Sequence, residues 1–265
     1  MNKSVVFAPL DRGLRFCSHA CLVVNGCLSR TESYLERSKN RYFGERCFII
    51  GNGPSLNGAD LDRISGIPSF ASNRIYNIFP ETSWRPTYYA VFDEGVARRE
   101  GVVDGINSFG CEMKFVREQG YLKAYRRLTG DICYLHAHDS RKYLEDPKFS
   151  TDLRRGVYTI ATVTYTLMQI AYHMGFRNMY LLGVDHKYAK TVGRDGIITE
   201  NDGVRSYFGA DGSCGKNMAG ASWEMDIAYD YAERISHQLG FRIYNATRGG
   251  CLETFERVDF DDVVG

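Results

Sequence analysis

Cys47-Phe48-Ile49-Ile50-Gly51-Asn52-Gly53-Pro54-Ser55-Leu56 is the stretch from which the chain on either side can be read. Four apolar residues stop at a glycine, the form of a short strand buried on both faces, and such strands belong to parallel sheets. Glycines at 51 and 53 would let the backbone turn sharply and approach a phosphate or ribose, with Ser55 capping a helix near Asp60. The turn is not a Walker loop, because no Gly-Lys-Ser/Thr follows, and Leu56 replaces the third glycine of a dinucleotide fingerprint. An ordinary strand-to-helix turn accounts for the spacing equally well.

Outward from this turn, short apolar runs predict strands at 68–71, 88–92, 113–116, 132–135, 179–182 and 241–244. Helical periodicity predicts long helices over 157–174, stopped by Gly175, and over 221–239, stopped by Gly240. Each leads within a few residues into a strand. The expectation is an α/β fold, a Rossmann-like doubly wound and mostly parallel sheet with right-handed crossovers. Residues 1–44, with a helix over 30–41, form an N-terminal helical extension, and 45–265 form the catalytic domain. Residues 186–220 have little apolar periodicity and many Gly, Asp and Lys, the composition of a long active-site loop.

Composition narrows the function classes. The 265 residues are 44% hydrophobic and 25% charged, ordinary for a folded domain. The 33 Lys and Arg balance 32 Asp and Glu to a net charge of +1, so no global field points to nucleic acid. Eight cysteines without a Cys-x-x-Cys pair carry no zinc signature and read as free thiols of a reducing compartment. The apolar run 20–24 is too short to span a bilayer, and no signal peptide is recognisable. A cytoplasmic protein is expected, with room for peripheral contact at the inner face of the membrane and for oligomers.

In a parallel sheet the carboxyl ends of the strands line the ligand crevice. Asn73 and Asp93 follow two strands and could hydrogen-bond a base or ribose beside Asn52 and Ser55; helix capping is the alternative for each. Tyr180-Leu181-Leu182-Gly183-Val184-Asp185-His186 repeats the strand-then-glycine grammar. Asp185 could hold a ligand hydroxyl or act as a base, and His186 could move a proton near neutral pH unless it is a surface-loop histidine. Arg154 and Arg155, ahead of the first long helix, would suit a phosphate, with Tyr158 and Tyr188 adding hydroxyl donors. Among the other histidines only His136-x-His138 has a spacing to note, and no metal site is expected.

Taken in order, 49–56, Asn73, Gly156-Val157-Tyr158 and 180–185 resemble the bacterial sialyltransferases of glycosyltransferase family 42. They also resemble the group called domain of unknown function 115, which includes flagellin-glycosylation factors and an archaeal pterin diphosphokinase. The resemblance covers about residues 46 to 255. It implies a variant of the GT-A-like Rossmann fold, a CMP-linked sugar donor and metal-independent, inverting transfer to a glycan acceptor, as in capsule or lipopolysaccharide synthesis. Asn52, Ser55 and Asn73 would hold the nucleotide, and Tyr188 would assist the departing phosphate. The family's catalytic histidine falls in a His-Tyr-Ile-Gly-His segment, where this chain has Ser206-Tyr207-Phe208-Gly209-Ala210-Asp211. Ala210 cannot act as a base, so His186 or Asp211 takes that task or the reaction differs. The closing segment from Tyr244 to Gly250 fits the broader group better and places Asn245 at another strand end. That group implies Mg²⁺-dependent pyrophosphoryl transfer to a pterin-like hydroxymethyl substrate, with Asp93 and Asp185 as the acids. A non-catalytic glycan-assembly protein is the third reading.

Overall fold

Alternation along the first strand, β1 (Arg46–Ile50), divides the molecule: Cys47 and Ile49 enter one hydrophobic core, Phe48 and Ile50 the other. All four side chains are buried, so the strand carries helices on both faces. The computed structural model describes residues 8–138, 143–208 and 221–265.

β1 lies inside an eight-stranded sheet in which every pairing is parallel. On one side follow β2 (Ser69–Ser72), β3 (Tyr88–Val91), β4 (Met113–Arg117) and β5 (Ile132–Leu135). Two residue pairs at Ala137–His138 and Val157–Tyr158, β6 and β7, form a separate bridge. On the other side of β1 lie β8 (Asn178–Leu182), then β11 (Arg242–Asn245) and β12 (Glu256–Arg257). Between β8 and β11 in sequence, β9 (Lys190–Val192) and β10 (Ile198–Glu200) make an antiparallel hairpin within the segment expected to be loop. The strands predicted from apolar runs all form, displaced by one residue at most at either end.

The helices pack by face. α1 (Ala8–Val24) buries Leu22, and α2 (Cys27–Ser38) buries Leu35. The second also covers the edge strand, where the Tyr134 amide of β5 donates to Thr31 Oγ1 at 3.0 Å. An edge amide thus meets a side chain instead of another protein. α3 (Gly58–Arg63), α4 (Glu94–Ala97) and α5 (Val102–Asn107) cover the Phe48 face, joined there by Phe260 of the C-terminal α8 (Phe260–Val264). α6 (Val163–Met174) and α7 (Ser222–Leu239) cover the Cys47 face. Asn57, not Ser55, caps α3, its Oδ1 accepting from the Asp60 amide at 2.9 Å.

The expected helix over 157–174 is shortened at its start. Val157 and Ile160 are buried, as their spacing required, but in extended chain, and Ala161 has φ 52°. A left-handed alanine cannot continue a helix, and Thr162 restarts the chain by accepting from Thr164 N at 3.2 Å. The seven described cysteines are all free. Among the described residues no helix is long and apolar enough to cross a membrane.

Candidate active site

From β1 the chain winds outward through β2 to β5, and from β8 it winds the opposite way through β11 to β12. The loops leaving the adjacent carboxyl ends of β1 and β8 therefore diverge, opening the crevice where doubly wound sheets bind ligands. A cleft of about 340 Å³ occupies this place. Gly51 to Gly53 follow β1 into it, Ser72 to Arg74 follow β2, Phe92 and Asp93 follow β3, and Gly183 to Tyr188 follow β8. The start of α6, residues 206–208 and the first turns of α7 complete the wall.

The floor explains the glycines. A Cβ on Gly51 would sit 2.2 Å from the Gly183 carbonyl oxygen, and one on Gly53 would sit 1.8 Å from Asp185 Oδ2. Their close approach is thus to the neighbouring loop, where the sequence suggested a phosphate. Gly53 N donates to Gly183 O at 2.8 Å, and Ser55 Oγ donates to Asp185 Oδ2 at 2.7 Å. Burial pushes the Asp185 carboxyl above its ordinary range, opposed by the hydrogen bonds from Ser55. Ser55 and Asp185 therefore hold the two loops together. Cys251 N donates to the Asp185 carbonyl at 2.7 Å, tying in a third loop. Asn245 takes no part in the cleft: it is buried, donating to Leu252 O at 2.8 Å and accepting from Thr247 N at 3.0 Å.

Above this floor the side chains are arranged differently. Asn52 Oδ1, Asn73 Oδ1 and His186 Nδ1 are buried without a hydrogen-bond partner, and all three residues line the cleft. Buried polar atoms are nearly always satisfied, so a cluster of exceptions around one cavity, which Thr166 Oγ1 joins, needs a reason. Among the described residues, three of the four non-glycine residues with positive φ also line it: Asn73 (53°), Ala161 (52°) and His186 (52°). Such strain persists only where surroundings enforce it. At Asn73 the enforcing group is buried Tyr89, whose hydroxyl donates to the Asn73 carbonyl at 2.6 Å. Asn52 is held by Nδ2 donating to Ser72 O at 3.2 Å and by its carbonyl accepting from Phe208 N at 3.1 Å.

His186, only 8% exposed, lies 2.7 Å through Nε2 from Asp226 Oδ1 on α7. With Nε2 engaged by Asp226, Nδ1 is the ring nitrogen left without a partner. Tyr188 and Tyr229 stand edge-on to the ring, and the Tyr188 hydroxyl donates to Met225 Sδ at 3.0 Å. Asp226 was invisible to the sequence reading because an acid on an exposed helical turn carries no signal of its own. Its distance of forty residues from His186 hides the pairing further.

The remaining candidates divide. Asp93 lines the cleft while capping α4, its Oδ1 accepting from Gly95 N at 2.7 Å and Val96 N at 3.3 Å. Arg154 and Arg155 do not line it. Arg154 folds back on Asp152 (Nε to Oδ1 3.0 Å), and the Arg155 carbonyl meets His138 Nε2 at 2.9 Å. Tyr158 instead stacks on His138 at 4.7 Å. The cations present at the cleft are Arg74, Arg99 and Lys187, together with the amino-terminal turn of α6. Ala210 and Asp211 lie outside the described residues.

A family model described as 6-hydroxymethylpterin diphosphokinase MptE-like matches residues 27–191, more than half of the chain. The chain belongs to the MptE-like family. Among solved structures, this MptE-like chain is similar to the MAf glycosyltransferase of Magnetospirillum magneticum AMB-1, with a TM-score of 0.53 and 18% identity over 84% of this chain and 35% of that one. It thus spans about a third of that protein's length. The sialyltransferase CstII of Campylobacter jejuni aligns at a TM-score of 0.46 and 13% identity over 82% and 85% of the two chains. Monofunctional alpha-2,3-sialyltransferase Cst-I from the same organism aligns at 0.40 and 16% over 76% and 75%. None of the curated protein sequences matches. At these identities the likeness establishes the fold of the MptE-like chain, one shared with glycosyltransferases.

A magnesium ion would find Asp93 and Asp185 in the cleft. One Asp93 oxygen already accepts two backbone amides, and Asp185 Oδ2 already accepts the Ser55 hydroxyl. No group of three His, Cys, Asp or Glu able to hold a metal gathers among the described residues. These carboxylates fit a divalent cation poorly.

Proposed function

We propose that the cleft binds a nucleotide-linked sugar and transfers the sugar to a hydroxyl of a surface glycan. What carries this reading is the meeting of three unsatisfied buried polar atoms, on Asn52, Asn73 and His186, at the switch point of a fold shared with glycosyltransferases. The volume of about 340 Å³ is within the range of small-molecule sites. The ordered motifs shared with family 42 favour CMP as the nucleotide and an acidic sugar of the sialic acid kind.

Asn52 and Asn73 hold the base and ribose. The amino-terminal turn of α6 and Lys187 face the leaving phosphate, the helix bringing the positive end of its dipole. His186 Nδ1 takes the acceptor hydroxyl proton as that oxygen bonds to the anomeric carbon. The bond from this carbon to the donor phosphate breaks, and the nucleotide leaves with the electron pair. One displacement of this kind inverts the anomeric centre. Asp226 stabilises the imidazolium formed.

Calorimetric titration with CMP, UDP, GDP and ATP is the test. CMP should bind, and Asn52→Ala should weaken it; no heat with any of the four ends this reading. Membership of the MptE-like family favours a second reading, pyrophosphoryl transfer from ATP. It requires nucleotide binding that responds to Mg²⁺, with ATP preferred to CMP.

A further inference from the structure

A second cavity, of about 580 Å³, lies between the α4–α5 connection and residues 122–127. Its walls carry Arg98, Arg99, Lys123, Arg126 and Arg127 against two acids, Glu100 and Asp104. In a chain whose total net charge is +1, this concentration is local. Some of these cations already have acidic neighbours. Glu94 serves both Arg98 and Lys123 at 3.4 Å, and Asp104 reaches Arg127 at 3.5 Å. Arg126 has no ion pair among the described residues. The Lys123 side chain is only 7% exposed, so an ammonium group is held out of water at the wall of a concave basic site.

Arg99 lines both this cavity and the cleft at the sheet switch point. A molecule could therefore span from one to the other past a single guanidinium. Guanidinium forks match the oxygens of a phosphate in pairs, and several around one concavity favour a doubly charged group over an isolated carboxylate.

We propose that this basic cavity is an acceptor subsite that binds a phosphate ester on the glycan while the neighbouring hydroxyl enters the cleft. The acceptor class is thus a phosphorylated sugar, and the assignment rests on the glycosyl-transfer reading above. Mannose 6-phosphate and mannose are suitable probes, titrated against the full chain first alone and then saturated with CMP. The phosphate ester should bind about tenfold more tightly or better, as charge-assisted hydrogen bonds imply, and the preference should shrink as salt rises. Arg126→Glu combined with Arg127→Glu should abolish the preference while CMP affinity and melting temperature stay unchanged, both positions being exposed. Equal binding of the two sugars, or a preference that survives the double reversal, overturns the proposal. If CMP fails to bind but the preference is present and charge-dependent, the anion subsite stands and the donor assignment falls. If CMP binds and the sugars are not distinguished, the subsite alone falls.

Discussion

Gly53→Ala should be costly for a reason that can be isolated. The new methyl carbon would lie 1.8 Å from Asp185 Oδ2 and 2.7 Å from the Gly183 carbonyl oxygen, so the carboxylate must swing away. It then loses the Ser55 hydroxyl at 2.7 Å and the Ser55 amide at 3.4 Å. Hydrogen bonds to a charged acceptor contribute about 1.5–3 kcal/mol each, and the longer one less, so the substitution should cost roughly 3–5 kcal/mol. For a chain of this size that corresponds to a fall in Tm of roughly 5–10 °C, measured by calorimetry or circular dichroism. Asp185→Ala removes the obstructing carboxylate. In that background Gly53→Ala should cost less than half as much, a coupling readable from a double-mutant cycle. Gly51→Ala supplies the contrast: its methyl would meet the Gly183 carbonyl oxygen at 2.2 Å and carbon at 2.7 Å, backbone that no change at 185 removes. It should be equally damaging in both backgrounds. Additive effects for Gly53 and Asp185 would refute the interlocked floor.

Three further outcomes follow from the geometry. Asp226→Asn and His186→Ala should each lower the rate of sugar transfer by about 10²–10⁴-fold in single-turnover assays, with CMP affinity nearly unchanged; full activity in either variant removes the dyad from the mechanism. Arg248 grips buried Asp60 through Nε at 2.8 Å and Nη2 at 3.2 Å, so Arg248→Ala leaves a poorly solvated carboxylate. Because Arg248 itself is 42% exposed, the loss should be about 1–3 kcal/mol in urea unfolding, below that of a fully buried pair. The Arg154 guanidinium holds the Asp152 carboxyl well below the usual range, against the opposing effect of burial. With the folded value depressed, its contribution is present above the unfolded value near ~4 and is lost as pH falls through the folded one. Asp152→Asn should accordingly flatten the acid limb of a stability profile below pH ~4 while lowering stability at neutral pH.

The sheet was legible because each strand is a short apolar run closed by polar residues or glycine, a pattern with few alternatives in a doubly wound fold. The meeting of loops 51–53, 73, 93 and 185 around one crevice was legible for the same reason, since strand ends converge by topology, but the loop at 156, expected with them, does not line it. What the sequence concealed is the purpose of individual side chains. Gly53 and Ser55 read as a phosphate cradle, but the space above them is filled by Asp185. Arg154 and Arg155 read as a phosphate clamp because a helix was expected to begin at 157, and it begins at Val163. The intervening residues carry the pair away from the cleft. Helical spacing cannot reveal the left-handed turn at Ala161, where alanine has no special preference for that conformation.

The contacts that fix the floor run between one loop and another at a single end of the sheet, and those of Gly53, Ser55 and Asp185 do not involve the side chains of Asn73 or His186. The side chains of Asn73 and His186 can therefore change with little effect on the platform beneath them, whereas Asn52 also ties it to Ser72. Such a division makes a protein easy to repurpose, since new cargo demands only new wall residues. That is how one scaffold can serve proteins as differently described as a pterin diphosphokinase family and a glycosyltransferase.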